Sequence, residues 1–561
     1  MRMKRMAPRV ALAALLAAVL AAGVGCRKSS SEEKDANKAQ TGAPQAAAGL
    51  METVARVHWL GKKRIAADPK SAYFMTIWKL PESARLEAQT LDKLATAPWR
   101  LGVGGVPATN VDGASRLLRP LLEDVLQDEC YFEVRQSGKS PGDAVAAVRL
   151  DAQRASVWET NLAGVMQSLT GGKPQKAQDG WSLKNGGWPT RIELRRVGEW
   201  SVVGLGQENN LLLEEIVARI GREHVPFVGR GTTNYWLETS IDPQRFGGAL
   251  SLNWHCDALS MISLMAVGEG ENVHTRGDVT FSMPPGINLE SWKIPTDLIS
   301  DPLISFSAMR GIKPFLSSVE VLKRLQISLP NQLFLWSFDA TPLHTFFAAP
   351  LADANRSVEK FSEYLIRDIN TRLHTNDVGN FEPLQGGHGV MLSRNPFASP
   401  FLESVVSSNG QYVVGGLLRG IPTNKPMPGE LLNEVVGRTN LVCYDWELTE
   451  PRIKTWFYLG QLLRMQFGKA QMPEKSAGVE WLVAAASKLG NCATIVTKTG
   501  PFQLSFSRKS SAGFSAIELH LLMDWLESPE FPRGLHTTIA APPPPRRRPG
   551  TNSVPAGTEG K

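Results

Sequence analysis

The sequence predicts an α+β protein made of two tandem, internally duplicated domains, each a largely antiparallel sheet covered by helices. Three observations predict it. A short phrase occurs twice, LDAQRASV at 150–157 and ADANRSV at 352–358. Buried-strand patterns of period two alternate with helical patterns of period 3.6. Each half also closes on a hairpin pattern, MAVGEGENVHTRGDVTFSM in the first and CATIVTKTGPFQLSFSRKSSAGFSAIEL in the second.

In the first half, residues 115–129 form an amphipathic helix. Its acids Glu123, Asp124, Asp128 and Glu129 are assigned to a solvated face. The run CYFEVR is a strand, and residues 144–150 are the next. Asp151 to Ala155 make a polar turn. Ser156 then caps a helix, with Glu159 completing a capping box. Trp158, Leu162, Val165, Met166 and Leu169 share one face of that helix. A strand from Trp200 to Gly204 follows, then a helix over 211–220 that Gly221 is placed to end. A strand from Tyr235 to Thr239 leads into the turn IDPQR.

The second half repeats this order. Residues 344–349 are a strand, Asp353 to Arg356 a turn, and Ser357 the cap, with Lys360 where the glutamate of a capping box would stand. Val358, Phe361, Leu365 and Ile369 make the helical face. Then come a strand at 411–415, a helix at 430–438, a strand at 441–446 and the turn TEPRI. The period is about 200 residues, far above the 20–50 of solenoids and propellers, so the units are domains: 51–290 and 291–540.

The chain has 561 residues, 42% of them hydrophobic and 20% charged, enough to bury two cores. Its formal charge of +7 sits at the ends, and residues 51–540 sum to near neutrality. Phosphate-backbone binding needs a clustered basic excess, so no nucleic-acid partner is expected. Residues 1–25 read as a signal peptide: MRMKRMAPR is a basic region, and VALAALLAAVLAAG is an apolar run short of a bilayer span. It ends in Gly23-Val24-Gly25-Cys26. This stretch resembles the lipobox of bacterial lipoproteins. The resemblance implies that Cys26 is lipidated, becomes the new N-terminus and ties the chain to a membrane. Residues 26–50 read as a disordered tether after that cysteine, and 541–561 as a disordered proline and arginine tail. The expected location is extracytoplasmic, membrane-anchored, facing the periplasm or the cell surface.

Catalytic motifs are weak. Gly138, Ser140 and Gly142 match G-x-S-x-G, but a nucleophile elbow joins a strand to a helix, whereas strand patterns flank this one on both sides. Gly204 and Gly206 begin a dinucleotide fingerprint that Asn209 fails to complete. His255, Cys256 and Asp257 are adjacent, so a helix would aim them about 100° apart, away from one metal. Cys130, Cys256, Cys443 and Cys492 form no C-x-x-C pair, and their apolar neighbours favour buried thiols. No metal site and no cofactor is expected.

Of the fifteen tryptophans, Trp158, Trp200, Trp236 and Trp446 take core positions. Trp181 and Trp188 lie in the glycine-rich stretch DGWSLKNGGWPTR and are the ligand- or partner-binding candidates, with loop packing as the alternative. The functional expectation is a non-catalytic, lipid-anchored protein of the cell envelope that binds or scaffolds another envelope protein or polymer. The alternatives are an extracytoplasmic hydrolase with a site assembled from scattered residues, and a carrier of an apolar ligand held between a sheet and its helices.

Overall fold

The computed structural model describes residues 52–100, 111–136, 142–186, 189–227, 235–249, 259–339, 344–373, 379–385, 388–395, 398–420, 425–466, 476–529 and 531–532. The strands of the first half are β1 (Glu52–Trp59), β2 (Cys130–Gln136), β3 (Asp143–Arg149), β4 (Gln175–Ala177), β5 (Gly180–Lys184), β6 (Arg191–Val197), β7 (Trp200–Gly206), β8 (Leu237–Ile241), β9 (Leu259–Glu269) and β10 (Asn272–Phe281). The second half has β11 (Ser300–Asp301), β12 (Leu303–Arg310), β13 (Gln332–Phe338), β14 (Thr345–Pro350), β15 (Asn380–Pro383), β16 (Gly389–Ser393), β17 (Phe401–Ser407), β18 (Gly410–Gly416), β19 (Lys425–Pro426), β20 (Leu441–Leu448), β21 (Asn491–Gly500) and β22 (Gln503–Ser510).

Helices and a large antiparallel sheet make this an α+β fold. Among the described residues twenty strands form one sheet, and β11 pairs with β19 in a second, two-stranded sheet. Along the large sheet the order is β4-β5-β6-β7-β3-β2-β1-β8-β9-β10, then β22-β21-β20-β12-β13-β14-β18-β17-β16-β15. Every neighbouring pair is antiparallel. The halves are thus joined edge to edge, with Val273 opposite Ser510 and Thr280 opposite Gln503. Two sheets with exposed edges would each offer unpaired N–H and C=O groups; joining them removes one edge from each.

The closing hairpins are β9–β10 and β21–β22, as their patterns predict. The strands expected at 144–150, 200–204 and 441–446 are β3, β7 and β20. The helix after β3 buries the predicted face, Trp158, Leu162, Val165, Met166 and Leu169.

Its start differs from expectation. The helix spans Ala152–Thr170, and Asp151, not Ser156, is the cap, its carboxylate accepting from the Arg154 N–H. The helix after β14 shifts the same way. It spans Ala354–Tyr364 with Asp353 at the cap position and Ser357 buried in the first turn. The repeated aspartate, rather than the repeated serine, marks both starts. Gly221 does not end its helix, which runs Leu211–Glu223 and stops where His224 turns left-handed, φ 60°. The IDPQR and TEPRI turns open helices, Pro243–Ala249 and Thr449–Gln466.

Helices cover the first half on both faces. Val57, Phe132 and Val148 pack under helices Pro81–Arg100, Val111–Gln127 and Ala152–Thr170. On the reverse face Tyr131, Val145, Ala147 and Val202 pack under Leu211–Glu223. Gly204 and Gly206 serve that contact. A Cβ on Gly204 would lie 2.6 Å from Leu213 Cδ2, and one on Gly206 would lie 2.2 Å from Asp143 Oδ1. In the second half Phe306, Phe334, Trp336 and Phe346 pack with Ile294 and Leu431.

Candidate functional site: an apolar cavity in the first half

The alternation of β1, β2, β3 and β7 turns Val57, Phe132, Ala146, Val148, Val203 and Leu205 to one side. Above them stand Leu118, Leu121, Leu122 and Val125 from one helix and Trp158, Leu162, Val165, Met166 and Leu169 from another, with Pro98 at one end. The layers do not close fully. They leave a cavity of about 100 Å³ whose surface is entirely apolar.

Its dryness is built by the tryptophans around it, each of which sends its N–H elsewhere. Trp158 donates to Asp124 (2.8 Å), Trp59 to the Leu126 carbonyl (3.0 Å), Trp99 to Ser168 (3.2 Å) and Trp181 to the Glu159 carbonyl (3.0 Å). Their rings belong to the cluster around the cavity, while their polar ends are satisfied outside it. Burial pushes the Cys130 thiol, a lining group, up to about 12, and the neighbouring Glu129 carboxylate acts in the same direction. It therefore stays a neutral, weakly polar wall.

Asp124 fixes the roof. It is 6% exposed, accepts from Arg154 Nε (3.0 Å) and Nη2 (2.7 Å), and takes the Trp158 indole proton. One carboxylate thereby ties helix Val111–Gln127 to helix Ala152–Thr170 at the cavity. This corrects the solvated-face assignment for Asp124. It also fails for Glu129, which is buried between His58 (3.0 Å), Arg64 (2.5 Å) and Arg149. Glu123 is exposed as expected.

A void of this size is costly. At roughly 24 cal/mol per Å³ it forfeits about 2.4 kcal/mol. An apolar guest recovers that by restoring contacts, at about 0.8 kcal/mol per buried CH₂. The cavity offers such a guest no hydrogen bond, so it selects for hydrocarbon. A dry apolar cavity of about 150 Å³ accepts benzene.

The second half carries a polar cluster instead. Asp445 and Glu447 point from β20 to the same side. Ser307 donates to Asp445 (2.5 Å), and the Ala516 N–H at a helix start donates to Glu447 (2.5 Å). Arg452 donates to Ser337 (2.8 Å) and lies 3.9 Å from Glu447, while Arg508 grips Glu518. Burial raises both carboxyls, Glu447 to about 7. These are the scattered ionisable groups a hydrolase would need. Their hydrogen bonds, however, are made to the strands and helices that enclose them.

Trp181 is 4% exposed and packs in the first-half cluster, where the sequence suggests a groove wall or loop packing. Cys26, Trp188, Ser140 and the 255–257 triplet lie outside the described residues. The connection containing Ser140 joins β2 to β3, adjacent antiparallel strands, so no helix follows it. Among the described residues Cys130, Cys443 and Cys492 are free thiols, no cluster could hold a metal, and no helix is long and apolar enough to cross a membrane. The sequence offers an apolar ligand between a sheet and its helices only as an alternative and does not locate the cavity. Its one available signal was the uniformly apolar face of helix Ala152–Thr170, which reads equally as filled core. No family model, curated protein or solved structure matches the chain.

Proposed function

We propose that this is a non-catalytic, lipid-anchored, extracytoplasmic protein of the bacterial cell envelope that holds an apolar group of an envelope component in its first-half cavity. The observation that carries the binding role is the wholly apolar cavity beneath helix Ala152–Thr170. The lipobox-like stretch ending at Cys26 supports the location.

The duplication belongs to the same reading. From the β10–β22 junction one flank runs β9, β8, β1, β2, β3, β7, β6, β5, β4, and the other β21, β20, β12, β13, β14, β18, β17, β16, β15. Counted from the first long strand of each half, the two orders coincide. That supports two copies of one unit, 51–290 and 291–540. Only the first copy carries the long helices Pro81–Arg100 and Val111–Gln127 between its first two strands; the second has short helices, Lys313–Leu316 and Glu320–Leu325. Binding is thus assigned to one copy.

Ala146→Leu tests the binding role. Ala146 is a wall of the cavity on β3, and three added carbons there occupy the guest's space. Ligand-observed NMR with benzene and hexane is expected to show saturable binding to the wild type and a loss of about tenfold or more in the variant. Equal affinity in both proteins would remove the cavity from the function. The anchor is tested separately: Cys26→Ala is expected to move the protein from the membrane fraction to the soluble extracytoplasmic fraction, or to leave it unprocessed. A wild type already soluble after export contradicts the anchor and leaves the cavity reading intact.

A further inference from the structure

Helices Lys313–Leu316 and Glu320–Leu325 bury no side chain. Phe315 is 51% exposed, Val319 42% and Val321 37%. The chain around them gathers more apolar surface. Residues 282–287 run alongside: an added Cβ on Gly286 would lie 3.5 Å from Pro314, and one on Gly311 would lie 2.4 Å from Ile287. Met283 in that run is 67% exposed. The β21–β22 turn joins the same edge, because the Phe281 N–H donates to the Phe502 carbonyl (2.9 Å) and Lys498 Nζ to the Ile287 carbonyl (3.1 Å). Phe502 is 43% exposed.

Charge on the two short helices is mostly basic. Lys313, Lys323, Arg324 and Lys498 stand against Glu320, which itself pairs with Arg324 at 3.4 Å. Large apolar side chains without a covering element cost free energy in water, and a basic rim adds nothing to folding. An interface of hydrocarbon and anionic headgroups satisfies both.

We propose that Met283, Phe502 and the two short helices form a surface that docks on an anionic lipid bilayer. The apolar side chains enter the headgroup region, and the four basic groups meet the lipid phosphates. A membrane anchor at Cys26 would bring the bilayer near, but the docking surface stands on its own residues.

The test uses the mature chain from residue 26 carrying Cys26→Ser, so that no acyl group contributes. A nitrobenzoxadiazole label is placed at Phe315→Cys, and as control at Val483→Cys, which is 72% exposed on helix Ala477–Ala486. Phosphatidylglycerol-containing vesicles are expected to shift the 315 label to the blue and leave the 483 label unchanged, while pure phosphatidylcholine shifts neither. Lys323→Gln with Arg324→Gln is expected to lower partitioning about thirtyfold, from roughly 1 kcal/mol per basic residue at an anionic surface. Absence of partitioning, or binding with the 315 label still in water, overturns the proposal. A shift that depends on protein concentration without vesicles would instead assign the surface to a second copy of the chain, and also overturns it. Because no lipid is attached, each outcome is independent of whether Cys26 is acylated in the cell.

Discussion

Asp124→Ala is expected to lower the stability of the protein by about 3 kcal/mol, the range for removing one partner of a buried ion pair. Asp124 is the shared acceptor of the Arg154 guanidinium and the Trp158 indole. Its removal leaves two donors facing the interior. Arg154 is about one-third exposed and recovers part of its hydration, which holds the loss below that of a fully sealed charge. Trp158 is buried and recovers none without moving. Its ring lines the cavity, so the cost falls on the same surface that receives the guest. Asp124→Asn keeps an acceptor for the indole and is expected to lose about half as much. Denaturant midpoints at constant slope measure both. A change below about 0.5 kcal/mol in the alanine variant would mean that the carboxylate is solvated after all. Benzene affinity should fall in the alanine variant and be largely retained in the asparagine one.

The same residue shows where sequence reasoning stops. Helical spacing told which residues share a face, and it found Trp158 through Leu169 correctly because all five are apolar. It then placed Asp124 with its charged neighbours Glu123 and Asp128. What buries Asp124 is Arg154, thirty residues away on another helix, and no local pattern carries that pairing. The caps failed for a related reason. Asp151 and Ser156 are both good cap residues, and the choice depends on where the strand lets go. Leu150 is still held by a hydrogen bond from its N–H to the Glu199 carbonyl, so the helix begins at once after Asp151. Strands and hairpins were legible because period-two burial and turn residues are local. The seam was not: the β10–β22 pairing brings residue 273 to residue 510, and edge-to-edge joining leaves no mark on alternation. A void is the least legible feature of all, since it depends on what three helices and four strands fail to fill.

The second half yields a pH-dependent stability. Glu447 is 5% exposed on β20, and burial is the main cause raising its carboxyl to about 7. The neighbouring Asp445 charge adds to the rise. The Ala516 N–H, Arg452 and Arg508 oppose it, and Glu518 and Cys492 complete the ionisable groups nearby. An unfolded glutamate titrates near 4.3. The folded state thus holds its proton more tightly than the unfolded state does. Its contribution to stability is fully present below about pH 4 and is lost as pH rises through 7. Between pH 5 and 8 the wild type is expected to lose about 3 kcal/mol from this group, since every tenfold difference in proton affinity between the folded and unfolded states is worth about 1.4 kcal/mol. Glu447→Gln keeps an oxygen for the Ala516 N–H and has no proton to release. Its stability is expected to match the wild type near pH 5 and to exceed it by a similar amount near pH 8. Denaturation curves at both pH values measure this difference. Parallel pH profiles for the two proteins would place the Glu447 carboxylate in a solvated or fully compensated site. That would open the cluster to water, and with it the case for chemistry at β20.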